Sequence, residues 1–101
     1  MKEKILSTGR SLVMRELTAL DELLTYHLMG KNFDTENVLP SAMTHRYISA
    51  LLAIVTIDGV EPKKPATMDD VFVVLGEFPS REWKEVMEFY DEVSGDVSLG
   101  E

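Results

Sequence analysis

The chain contains no cysteine. Disulfide frameworks, thiolate zinc sites, cysteine-ligated iron–sulfur clusters and cysteine nucleophiles are therefore excluded. Long apolar runs are also missing. The longest stretch, Ala50–Ile57, is broken by Thr56, whereas a bilayer span needs about 20 residues. Residues 1–14 carry Lys2, Lys4 and Arg10 without the apolar run of a secretory leader. A cytoplasmic protein with no membrane partner is expected. Basic residues are scarce, at ten Lys and Arg against 18 Asp and Glu, for a formal charge of −8. Direct nucleic-acid binding is disfavoured, because neutralising phosphates takes clustered Lys and Arg, and Lys63-Lys64 is the only adjacent basic pair. No Gly-x-Gly-x-x-Gly, Gly-x-x-x-x-Gly-Lys or Gly-x-Ser-x-Gly pattern occurs. The chain does not read as an enzyme, and no cofactor is expected.

What remains is ordinary globular material: 101 residues, 45% apolar and 28% charged. That suffices for one core and leaves no room for a second. The expected organisation is a flexible N-terminus over residues 1–10, a single helical domain over 11–93, and a flexible acidic tail over 94–101. The expected fold is mainly α, a compact bundle of about four helices. A short N-terminal strand or hairpin around residues 11–16 stays open.

Thr18-Ala-Leu-Asp21 fits a capping box, and Leu17, Leu20, Leu24 and Leu28 recur at helical spacing up to Gly30. This predicts a helix over 18–29. The polar segment 31–38 reads as a loop. From Pro40, the residues Met43, Tyr47, Ile48, Leu51, Leu52, Ile54 and Val55 cover about half a helix circumference. That arc predicts the most buried helix, continuing to Ile57. A strand is the competing reading for Ala53–Ile57, where β-branched residues gather. Asp58-Gly59 turns the chain, and Val60–Ala66, with two prolines, connects it onward. Thr67-Met-Asp-Asp70 is a second capping-box pattern, opening a helix with Met68, Val71, Phe72 and Leu75 on one side and ending at Gly76. Ser80 is the expected cap of a last helix. Trp83, Val86, Met87 and Tyr90 line one face of it, and Glu85, Glu88 and Glu92 stand opposite.

Chemistry is thin. His27 sits beside Leu24 and Leu28 and reads as a boundary or core residue, and His45 lies at the edge of the central apolar arc. No metal site is expected from them. Asp69-Asp70 and Asp91-Glu92 are adjacent in sequence, but neighbouring helical residues diverge by about 100°, so neither pair forms an acid–base dyad. Asp69 and Asp70 suit the first turn of a helix. Residues 77–101 hold eight acids against two bases, a solvated face or a surface for a basic partner. Met14, Met29, Met43, Met68 and Met87 fall on or near apolar positions. Core filling is the default for them, and an adaptable surface for a helical partner is the alternative.

Three segments together resemble small phage tail assembly chaperones, the helical proteins of long-tailed bacteriophages. They are Leu12-Val13-Met14-Arg15-Glu16-Leu17-Thr18, the Tyr47 to Gly59 run with its proline-containing connector, and the close from Leu75-Gly76 through Trp83 to Tyr90. The resemblance implies a non-enzymatic role in the host cytoplasm during virion morphogenesis. The protein would coat and solubilise the long tape-measure protein, help to recruit tail tube protein, and be absent from the finished tail; self-association stays open. Leu52, Trp83, Phe89 and Tyr90 are the expected partner-binding residues, with a core role for Trp83 and Tyr90 as the equal alternative. Two other readings stand beside it: an acidic phage-encoded inhibitor mimicking nucleic acid, and a small structural virion protein of the baseplate or connector.

Overall fold

Ser11-Leu-Val-Met14 lies at the centre of a three-stranded antiparallel sheet. The computed structural model describes residues 1–30 and 38–94, with side chains from residue 42 onward in the second stretch. In chain order the elements are β1 (Lys2–Ile5), β2 (Ser11–Met14), α1 (Ala19–Met29), α2 (Val38–Ala53), β3 (Ile54–Ile57), α3 (Met68–Gly76) and α4 (Ser80–Ser94), with strand order β1-β2-β3. Four helices are present as expected among the described residues, but the fold is mixed α and β rather than mainly α. The loop expected over 31–38 falls outside the described residues up to 37, and Val38 already opens α2. The expected acidic tail lies outside them from residue 95.

Met1–Arg10, expected to be loose, forms β1 and the turn into β2. Lys2 to Ile5 pair with Met14 to Ser11. The turn closes on itself through Leu6 N–H to Arg10 O and Gly9 N–H to Leu6 O, both 2.8 Å, and buries Leu6. Acids of α4 hold it. Glu85 accepts from the Ser7 amide at 2.8 Å and from the Ser7 hydroxyl. Glu82, itself buried, accepts from the Thr8 hydroxyl and from both the Nε (3.1 Å) and Nη2 of Arg10. The Arg10 guanidinium also lies 5.1 Å from the centre of the Phe78 ring. Local composition signalled a frayed end, but contacts some 75 residues away order it.

The central helix stops at Ala53, and Ile54-Val-Thr-Ile57 is a strand, so the competing reading holds. The β-branched run favours the pleat, and β2 supplies a partner: Leu12 pairs with Ile57, Val13 with Thr56 and Met14 with Ile54, leaving Val55 as a bulge. Arg15 meets the carbonyls that the end of α2 leaves over. Its amide donates to Ala53 O at 3.0 Å, and its Nη2 donates to Leu52 O at 3.3 Å. Asp58 and Gly59, with φ of 53° and 78°, then form the turn that both residues tolerate, closed by paired Ile57–Val60 bonds of 2.9 and 3.0 Å.

The capping box of α1 is present. The Thr18 hydroxyl accepts from the Asp21 amide at 3.2 Å, and the Asp21 carboxylate accepts from the Thr18 amide at 2.8 Å. The helix is rotated from the leucine-based expectation, however. Asp21, Thr25, Leu28 and Met29 are buried, whereas Leu20, Leu23, Leu24 and His27 are exposed. The bond from Arg15 to Asp21 draws the carboxylate side inward, so His27 is a surface residue and not a core one. The second box is only half made. The Thr67 hydroxyl accepts from the Asp70 amide at 3.2 Å, but the Asp70 carboxylate turns to the Ala66 amide at 2.9 Å. Thr67→Ala should cost about 1 kcal/mol, read as a fall of about 4–8 °C in Tm. Ser80 is the first residue of α4 rather than its cap. The carbonyl of Pro79 takes the first helical bond, from the Trp83 amide at 2.8 Å.

The core runs from Leu6, Leu12 and Met14 on the hairpin, through Ile48 to Ala53 at the end of α2 and Ile54 of β3, to Val86, Phe89 and Val93 on α4. Within α2 the buried part is Ile48–Ala53, whereas Ala42, Met43 and Arg46 are exposed and Tyr47 is partly covered, so the wide apolar arc is only half used by the core.

Candidate protein-binding groove

The apolar side of α3 is only partly used by the core. Val71 is buried, Met68 and Leu75 are partly covered, and Phe72 is 60% exposed. The residues at 68, 71, 72 and 75 share one helical face, and that face looks across an open depression toward α2 and α4. Two adjoining hollows make up the depression. One, of about 510 Å³, lies between α2 and α4 and includes Arg46, Trp83, Lys84 and Met87 in its lining. The other, of about 300 Å³, lies between α2 and α3 and includes Met68, Val71 and Phe72. Met43, Tyr47 and Leu75 belong to both.

Aromatic packing sets the back wall. Trp83 meets Tyr47 edge-on with ring centres 5.3 Å apart, and meets Phe78 at 5.1 Å. The indole Nε1 is buried without a hydrogen-bond partner among the described residues. The rings hold the wall rigid, while the methionines give the rim adaptable, polarisable surface. The five methionines at apolar positions divide by role. Met14 and Met29 are fully buried, whereas Met43 (49% exposed), Met68 and Met87 line the groove. Core filling therefore holds for Met14 and Met29, while Met43, Met68 and Met87 are only partly used by the core.

Of the four residues expected to contact a partner, only Trp83 lines the groove. Leu52 is 3% exposed and Phe89 2%; both are core residues that no ligand reaches without unfolding. Trp83, 8% exposed, supports the groove from behind more than it offers surface. Tyr90 is half-buried, its hydroxyl is bonded to Ser49, and burial raises its pKa above the usual tyrosine range. The residues that do present apolar surface, Met43, Phe72 and Leu75 among them, carried a signal in the sequence, namely methionines and aromatics at helical spacing. That signal could not separate a core face from an open one.

No group of three or more His, Asp or Glu suited to a metal ion occurs among the described residues. His45 packs against the Tyr26 ring with centres 4.9 Å apart. Asp70 is occupied by its cap bonds, and Asp91 by Arg46 at 3.0 Å. No helix among the described residues is long and apolar enough to cross a membrane.

The strongest polar cluster is structural. Asp21 accepts from Arg15 Nη1 at 2.6 Å and Nη2 at 3.2 Å, and this pairing holds its carboxyl far below the usual carboxylate range. Glu82 is likewise lowered, first by its bond from Arg10. No protein-family model matches the chain, and no curated protein or solved structure matches it.

Proposed function

We propose that this chain is a non-enzymatic tail assembly chaperone, which binds apolar helical segments of a tape-measure protein in the host cytoplasm and keeps them soluble until the tail tube forms around them. The observation that carries the reading is the open groove between α2, α3 and α4, floored by Tyr47 and Leu75 and edged by Met43, Met68, Phe72 and Met87. Exposed apolar surface rimmed by polar residues marks a protein-docking site, and a concave strip between helices suits the helix-in-groove mode. Several copies, each bound weakly along one long helix, would cover it and still release it when tube subunits compete. The outward acids of α4, Glu88 and Glu92, would keep coated complexes apart by like-charge repulsion.

Co-expression tests this directly. A candidate tape-measure protein should move from the insoluble to the soluble fraction when co-expressed with this chain, and the two should co-purify. Equal solubility with and without the chain refutes the reading. Capture that disappears on raising salt yet survives disruption of the groove would favour the acidic-inhibitor alternative instead.

A further inference from the structure

The chain carries a formal charge of −8, yet the charged side chains lining the groove, Arg46 and Lys84, are both cationic. Both belong to the hollow between α2 and α4. The hollow beside α3 is lined by apolar side chains and Thr44. The groove is therefore polarised, apolar at one end and positive at the other. Ser80, the first residue of the 15-residue α4, lines the positive end, where the aligned peptide dipoles add further partial positive charge. Arg46 has a partner in Asp91 at 3.0 Å, but both side chains are more than half exposed. Such a pair contributes little and exchanges readily for another carboxylate. Lys84 makes no ion pair among the described residues.

We infer that the groove takes an amphipathic helix whose apolar row ends in aspartates or glutamates. The row lies on Phe72 and Leu75, and the carboxylates sit between Arg46 and Lys84. This rests on the chaperone reading in needing the groove to be a docking site; it adds the charge and the direction of the occupant. The net charge of the molecule argues the opposite preference, because an acidic protein attracts basic helices at long range. Peptides of opposite end charge distinguish local complementarity from the long-range field.

Trp83 is the only tryptophan and lines the groove, so its emission reports occupancy by tryptophan-free peptides. Two helical peptides share one leucine row at i, i+3, i+4 and i+7, and carry either Glu or Lys at the flanking positions of one end. Titrated into the full chain at low salt, the Glu peptide should bind about three- to tenfold more tightly, the sum of two partly exposed charge contacts. The preference should fade at about 1 M salt, where the Debye length is about 3 Å. Lys84→Glu should reverse the preference with unchanged thermal unfolding, and Arg46→Glu provides a second, independent reversal. If the Lys peptide binds as well as or better than the Glu peptide, the charge assignment is wrong. The groove reading then still stands, provided both peptides shift Trp83 emission and Phe72→Asp removes both shifts. If neither peptide binds by emission or calorimetry, the groove reading and this inference fall together.

Discussion

Asp21→Ala should destabilise the protein by about 2–4 kcal/mol, combining the loss of a helix cap with the breaking of a largely buried ion pair. Asp21 joins three elements. Its carboxylate closes the capping box of α1 on Thr18 and pairs with Arg15. Arg15 in turn satisfies the Leu52 and Ala53 carbonyls where α2 gives way to β3. Removing the carboxylate leaves a guanidinium facing only carbonyls and unties the start of α1. Arg15 keeps about a quarter of its side-chain surface in water, which holds the cost below that of a fully buried pair. For a domain whose total stability is about 5–15 kcal/mol, the expected fall in Tm is about 10–25 °C.

The same pair sets an acid dependence. The Asp21 pKa is depressed in the folded state, chiefly by the Arg15 hydrogen bond. Its contribution is fully present above the unfolded carboxylate value of about 3.9 and is lost as pH falls from there toward the folded value. Urea unfolding of the wild type and Asp21→Asn should therefore differ most at neutral pH and converge below about pH 4. A constant gap across that range would show that the charge is not the source of the stabilisation. Glu82 beside Arg10 is shifted in the same direction, so acid should also loosen the hairpin from α4.

Phe72→Asp and Met43→Asp should behave in the opposite way, leaving stability within about 1 kcal/mol and reducing partner capture ten- to a hundredfold. Both side chains are about half or more exposed, so the folded state loses little packing when they change. Each would give up about 1–3 kcal/mol of apolar burial on binding, and a carboxylate in the apolar hollow adds a desolvation cost. The measurement is retention of tape-measure protein on the immobilised chain, alongside thermal unfolding of each variant. Phe89→Asp is the contrasting control, because its fully packed site predicts loss of folding before any specific loss of capture. Undiminished capture by Phe72→Asp and Met43→Asp would place the docking surface elsewhere, the exposed Leu20 and Leu23 side of α1 being the next surface to test.

Residue types and their spacing were enough for the local features. The Thr18–Asp21 box, the Asp58-Gly59 turn and the end of α3 near Gly76 all depend on neighbours within a few positions, and those are printed in the order of the amino acids. Tertiary structure decided the rest, because the deciding partners lie far along the chain. Ile54–Ile57 became a strand once β2 offered its hydrogen bonds and Arg15 took up the helix-end carbonyls. Lys2–Ile5 became ordered once Glu82 and Glu85 reached the turn that follows it. The groove belongs to the second group: Met14 and Met43 are the same chemistry at similar apolar positions, and only the tertiary packing puts Met14, on β2, in the core and leaves Met43, on α2, half exposed.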